Sequence, residues 1–520
     1  MPPDEGATIK IRDKLSCYLS VLATRLKDAR SGEGRPVASL SWERPLANIF
    51  AHAEETPFFH DLANACYCDP SFPKDRMVSS SPGVESWKEG LGTFFRTSGV
   101  YLELARGACP SPDQVLERLE SELRKEACKI TYLALLDGIN LAKDDVEFGH
   151  FRLRFYDVNA LKEEVGYGSK AIFYPHTLKH FSRLADHYFL VATEEAKPGI
   201  EAILLMSLDP VWDEMPTFDL PHKRGAKPNH EKEDMRFEPQ WVPGFPREVE
   251  KGLTRLALYD WRPCAGRNER NNGVDDLRGW FAPRVAAIIT LTDDLFQPPG
   301  SLPDAPGVSV PIVDNDGREI IEEPPEFILE EQETEDLAHA LTEFDRAFSR
   351  LESVREAEFV RNAAGFLLKG FVSRGVEQVL WHVVALEAAL GEHRKDESIT
   401  GILRRRLGVI LGDTEQSCKR IRKAFDDMYA WRSKVVHGTP PGARIPGRIF
   451  WQARFFARAA TAWAIQAFAF LQEKARTPTL HPQRSSLLHL MDLTEAERIR
   501  LGAQMSWVPS SFPHVPEWVA

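Results

Sequence analysis

The chain has 520 residues, of which 43% are hydrophobic and 27% charged, with a formal net charge of −12. At roughly 150 residues per domain the length exceeds one core, so two to four domains of an ordinary soluble globular protein are expected. The acidic balance argues against a protein that coats nucleic acid with its whole surface, while leaving room for a local basic site.

The opening residues, MPPDEGATIK, lack the basic segment and following apolar segment of a secretory signal, so a cytoplasmic address is expected. Residues 1 to about 145 mix helical pattern with proline-containing loops. The clearest helix there is SPDQVLERLESELRKEACKITYLALLDG (111–138), with Ser111 or Asp113 as its cap and Gly138 as its stop. VEFGHFRLRFYDV (146–158) alternates Phe151, Leu153 and Phe155 against Arg152, Arg154 and Asp157, the period of a half-buried strand. HYFLVAT (187–193), EAILLMSL (201–208) and RVAAIITL (284–291) also read as strands. Residues 209–247 are rich in proline and charge, and CAGRNERNNG (264–273) is a polar loop. Residues 1–300 are therefore expected to form an α+β region of one or two domains.

Seven cysteines include no CxxC pair, as free cytosolic thiols would. Cys66 and Cys68 with His60 could touch a metal, but no second ligand pair follows at zinc-finger spacing. HTLKH places His176 and His180 four apart with His187 seven further on, yet Thr177 stands where a zincin has its glutamate. A surface or core histidine cluster is the better reading, and no metal or other cofactor is expected. Phosphate-cradling glycine loops of the P-loop type are absent too, so an NTPase motor is not supported.

A proline-rich acidic linker follows at 301–333. Beyond it the pattern changes to amphipathic helices at 334–353, with Thr334 as N-cap, and at 357–375 and 376–392, read as one helix with an irregularity near Gly375. Further helices are read at 398–412, from Ser398 to Gly412, at 414–438, and at about 447–475. The last carries Arg448, Gln452, Arg454, Arg458 and Gln466, which argues against a membrane span. Its aromatic face is a candidate interface. Residues 334–475 are thus expected to be all-α, and 476–520 show no strong period. From Arg394 to Lys434, eleven basic residues face six acidic ones, either solvated helix faces or a phosphate-attracting patch.

Within YAWRSKVVHGTPPG (429–442) the pattern breaks. The stripe Ile421, Phe425, Met428 steps next onto Arg432 and then Val435, so a guanidinium takes a hydrophobe's place. Arginine cannot shed its proton, and burying it alone is expensive, so it needs a carboxylate, a backbone acceptor or a phosphate. In VEQVLWHVVALEAAL the stripe Val376, Leu380, Val383 similarly reaches Glu387 before Leu390. These charges form either a buried pair that fixes helix register or a shared site. Gly438, Pro440 and Pro441 end the helix at His437. A helix C-terminus favours imidazolium by a few tenths to about 2 kcal/mol, which suits proton transfer near neutrality, and equally suits capping of the last carbonyls.

RSKVVHG at a helix end, preceded by YAW, resembles the R-x4-H active-site motif of HEPN domains. VVALEAALGE and RRRLGVILG are similar to the corresponding segments of the Apea-like HEPN family of prokaryotic antiphage defence proteins. The resemblance covers roughly 334–475. It implies a helical bundle that homodimerises, bringing two motifs into one composite cleft, and a metal-independent endoribonuclease acting in abortive infection. On that model His437 moves the proton of the ribose 2′-hydroxyl or leaving oxygen, and Arg432 stabilises charge on the phosphorane. Glu387 falls where the family often carries an acidic residue. The products would be a 2′,3′-cyclic phosphate and a 5′-hydroxyl. By analogy with the layout of such proteins, the N-terminal region would sense a phage-derived trigger. The alternative is a non-catalytic HEPN module that binds RNA, nucleotide or a protein partner. The expected fold class is α+β, a mixed N-terminal region followed by an all-α HEPN bundle.

Overall fold

The structure, a computed structural model, describes residues 5–33, 43–73, 76–77, 83–167, 173–174, 181, 184–199, 245–261, 284–298, 311–313, 319–321, 327–373, 375–412, 414–436, 447–474 and 482–492. In chain order come α1 (Glu5–Glu33), α2 (Glu43–Glu54), α3 (Pro57–Cys68), α4 (Val84–Thr97), α5 (Val100–Ala105) and α6 (Pro112–Leu123). Strands β1 (Cys128–Asp137), β2 (Ile139–Leu141), β3 (Asp145–Phe148) and β4 (Phe151–Tyr156) follow, then α7 (Val158–Glu164), β5 (His187–Ala196), α8 (Arg247–Leu258) and β6 (Arg284–Thr292). Three short strands, β7 (Pro311–Val313), β8 (Glu319–Ile321) and β9 (Phe327–Leu329), lead into α9 (Glu331–Leu351) and α10 (Glu358–Val372). The rest is α11 (Gly375–Leu390), α12 (Ile399–Leu411), α13 (Glu415–Val436), α14 (Gly447–Lys474) and α15 (Arg484–Asp492). The fold is α+β in its N-terminal half and all-α after β9, as expected. The segments 201–208 and 264–273 lie outside the described residues.

The chain divides into two units, each discontinuous in sequence. One comprises Met1–Leu135, Arg154–Asp209 and Val285–Val308; the other comprises Leu136–Leu153, Pro210–Arg284 and Ser309–Ala520.

In the first unit, helices α1 to α6 close around an aromatic core that includes Tyr18, Phe50, Phe59, Phe95 and Tyr101. Ser111 caps α6 in a reciprocal capping box with Gln114, followed by proline at the first turn. The helix expected to run to 138 stops at Leu123, however, and its second half is strand β1. Ile130, Tyr132, Leu133, Ala134, Leu135 and Leu136 are all buried, so the segment buries both faces where an amphipathic helix would bury one stripe. Neighbouring strands run in the order β4-β5-β1-β6. Asp157, expected on the polar side of a strand, caps α7 by accepting from the Asn159 and Ala160 amides.

The expected strand 146–158 is two strands, β3 in the second unit and β4, within which the division between the units falls, joined by the two-residue turn Gly149–His150. Gly149 has φ 62°, and a Cβ there would overlap the Asp345 carboxylate, so both backbone and space demand glycine. Asp345 is buried with Arg255 at 3.3 Å, whose guanidinium lies 4.3 Å from the Phe348 ring centroid. The expected linker holds structure of its own: β7 pairs antiparallel with β8, and β9 pairs parallel with β2, Phe327 opposite Ile139. Thr334 is not the cap of α9. Glu330 and Glu333 form the capping box, and the buried Thr334 hydroxyl donates to the Leu329 carbonyl while accepting from the Ala142 amide.

Helices α10 and α11 are separate, broken at Ser373, whose backbone is extended. Helix α12 begins on Ser398, which accepts from the Gly401 amide, and its C-cap is Gly412, as read from the sequence. Helix α14 is central. From Gln452 to Ile465 every residue is buried, against α9, α10, α11 and α13. Its aromatic residues Phe455, Phe456, Trp463 and Phe468 are therefore interior, while Phe450, Trp451 and Phe470 are half-buried. Small side chains at Ala453, Ala457, Ala460 and Ala464 let neighbouring helices close on it. Helix α15, with no strong signal in the sequence, inserts Leu487, Leu488 and Met491 into the same core.

Candidate functional site

On α13 the buried face runs Ile421, Phe425, Met428 and then reaches Arg432, as the sequence implied. The stripe expected on α11 is shifted. Val376 is 42% exposed, and the buried face is Val379, His382, Val383, Leu386 and Leu390, which leaves Glu387 at its margin. The two charges do meet: Arg432 Nη2 lies 3.7 Å from Glu387 Oε1. Neither is sealed in the core, since their side chains remain 28% and 23% exposed. A pair that only set helix register would be expected deeper.

Tyr429 joins them. Its hydroxyl donates to the same Glu387 Oε1 at 2.9 Å, and the Arg432 guanidinium carbon is 5.5 Å from its ring centroid. Burial, then the neighbouring Glu387 charge, pushes the phenol above its ordinary pKa. The nearby Thr400 side chain, in the first turn of α12, works in the opposite direction and draws it down. Tyr429 stands within the quoted motif but drew no reading; its position three residues before Arg432, on the same side of a helix, was the available signal. His437 lies outside the described residues, which stop at Val436 on this helix.

The end of α11 that carries Glu387 is capped by two guanidinium groups from other segments. Arg484 donates to the carbonyls of Glu387 (3.2 Å), Ala388 (2.8 Å) and Gly391 (2.6 Å). Arg406, fully buried, donates to the Leu390 carbonyl at 2.6 Å and pairs with Glu392 at 2.6 Å and Asp492 at 2.8 Å. These contacts answer the orphan carbonyls of a helix end. Asp492 also binds Arg394 and Arg405, and the arginines hold its carboxyl far below the usual range against the opposing effect of burial. Arg404 meets Asp426 at 3.6 Å and Lys419 meets Glu415 at 2.8 Å. Much of the basic stretch 394–434 is thus neutralised inside its own unit.

His382, five residues before Glu387, is fully buried. Its Nδ1 donates to the Gln378 carbonyl at 2.5 Å, and its ring abuts Phe371. Burial, with Arg454 and Arg458 adding repulsion, pushes it down to about 3.

Cys66 is buried while Cys68 and His60 are exposed. His176 and His180 lie outside the described residues, and His187 bonds the Ala185 carbonyl through Nδ1 at 2.7 Å. Among the described residues, no group of three His, Cys, Asp or Glu is placed to hold a metal, and no helix is long and apolar enough to cross a membrane. No protein-family model, curated protein or solved structure matches the chain.

Proposed function

We propose that this chain is a metal-independent endoribonuclease of the HEPN type that cleaves RNA in antiphage defence, with Arg432 and His437 as its catalytic pair and Glu387 beside them. The observation that carries the reading is the state of Arg432. Its guanidinium sits at the solvent margin of the bundle, compensated by a carboxylate at 3.7 Å. That separation supplies charge compensation without a tight hydrogen bond, so N–H donors remain for a phosphate oxygen.

The chemistry needs two things. A base must take the proton of the ribose 2′-hydroxyl so that its oxygen can attack phosphorus, with a proton delivered to the departing 5′-oxygen. A fixed positive group must meet the charge that grows on the phosphorane. His437, one residue beyond the end of α13, is proposed for the first role and Arg432 for the second. Two copies pairing their motifs would place a base and an acid on opposite sides of one phosphodiester. The N-terminal unit is proposed to respond to a phage-derived trigger.

Purified protein is incubated with total cellular RNA in excess EDTA, beside Arg432→Ala and His437→Ala, and again in lysate from infected cells. We expect wild-type cleavage leaving 2′,3′-cyclic phosphate ends, lowered about 100-fold or more in each variant. RNA binding without cleavage under every condition, with all three proteins folded, would assign the module to binding instead.

A further inference from the structure

We infer that Tyr429 is a positioning residue that holds Glu387 off Arg432 and so keeps the guanidinium open to an RNA phosphate. This rests on the proposed role of Arg432 in taking that phosphate. Both side chains of α13 approach one oxygen, Glu387 Oε1, the phenol to 2.9 Å and the guanidinium only to 3.7 Å. An arginine and a carboxylate left to themselves close into a paired contact of about 2.7–2.9 Å, which occupies the donors a phosphate would use. Here the neutral donor has the short bond and the charged one stands back.

The phenol is held in place by packing. The Phe425 ring lies 5.4 Å away one turn earlier, and the ring packs on the core of the bundle. The hydroxyl therefore has a fixed direction, toward Glu387. Its raised pKa keeps it protonated, and so a donor, throughout the neutral range.

Removing one oxygen tests this. In Tyr429→Phe the carboxylate loses its short partner and closes on Arg432. In Glu387→Gln there is no charge to close, so Tyr429 no longer matters. The probe is a fully 2′-O-methylated RNA oligonucleotide, which cannot be cut, titrated at several salt concentrations. We expect Tyr429→Phe to bind about tenfold more weakly and to lose the salt dependence of one phosphate contact, a slope change of about 0.7, as Arg432→Ala does. Glu387→Gln should bind more tightly than wild type, and adding Tyr429→Phe to it should change nothing.

Wild-type binding by Tyr429→Phe, or a loss that persists in the Glu387→Gln background, overturns the inference, because a packing role would not be rescued by removing a charge. No binding by the wild type, or weaker binding by Glu387→Gln, overturns it too. If the binding pattern holds but the wild type cuts no RNA, Tyr429 positions Arg432 and the nuclease reading fails. If RNA is cut and the pattern is missing, only this inference falls.

Discussion

The sealed imidazole of His382 makes the stability of its unit depend on pH in a direction that can be worked out. The Nδ1–H donates to Gln378, and burial beside Arg454 and Arg458 keeps the ring neutral in the folded state. Burial and two guanidinium groups push its pKa down to about 3, against about 6.5 in an unfolded chain. A base with a depressed folded pKa contributes fully above the unfolded value. As pH falls below about 6.5 the unfolded chain takes up a proton that the folded chain refuses, and stability drains away until about pH 3. At 1.36 kcal/mol per unit, the loss is about 2 kcal/mol at pH 5 and roughly 5 kcal/mol near pH 3. His382→Asn removes the titration while its amide can still meet Gln378; its baseline stability falls through lost packing, but its pH slope should flatten. The measurement is amide hydrogen exchange of α11 in the full chain, giving a local opening free energy at pH 7, 6 and 5. Wild type should lose about 2 kcal/mol more than the variant between pH 7 and 5. Parallel pH dependence in the two proteins would refute the reasoning.

Asp492→Asn leaves Arg406 buried with one charged partner fewer, and should cost about 3 kcal/mol or more, with faster amide exchange at the end of α11. The same carboxyl, held far below its ordinary pKa, stabilises above about pH 3.9, and that contribution is lost as pH falls below it, so the Asn variant should lose less to acid. Gly149→Ala forces an alanine into positive φ and drives its Cβ into Asp345, displacing the partner of Arg255. A loss of about 2–4 kcal/mol is expected in thermal melts, and a neutral substitution would mean that the β3–β4 turn is built differently.

The legible parts were those whose signals are local. Ser398 and Gly412 bound α12 because a cap bonds a residue three or four away, and the Ile421, Phe425, Met428 stripe is visible in one helix alone. Arg432 stood out against that stripe, and its partner was found because Glu387 broke a similar one, although the α11 stripe as read was rotated and placed exposed Val376 inside. Strand β1 was misread because a continuous apolar run fits a buried strand and a buried helix equally well until its neighbours are known. Helices α8 and α15 are not among the elements expected from the sequence. Asp492 bonds arginines 86 to 98 residues away in sequence, so its role depends entirely on distant contacts.

The guanidinium caps on α11 set an order in time as well as in space. A chain emerging from the ribosome makes α11 about a hundred residues before Arg484 and Asp492 exist. Until then three carbonyls at the end that carries Glu387 lack their arginine, and Arg406 lacks one of its two carboxylates. A nascent chain halted before residue 484 therefore has its Arg432 motif synthesised but the Glu387 end of the site frayed. Completion of the site is tied to synthesis of a segment about a hundred residues downstream of Glu387, which would delay the proposed phosphate-binding centre on a chain still being translated.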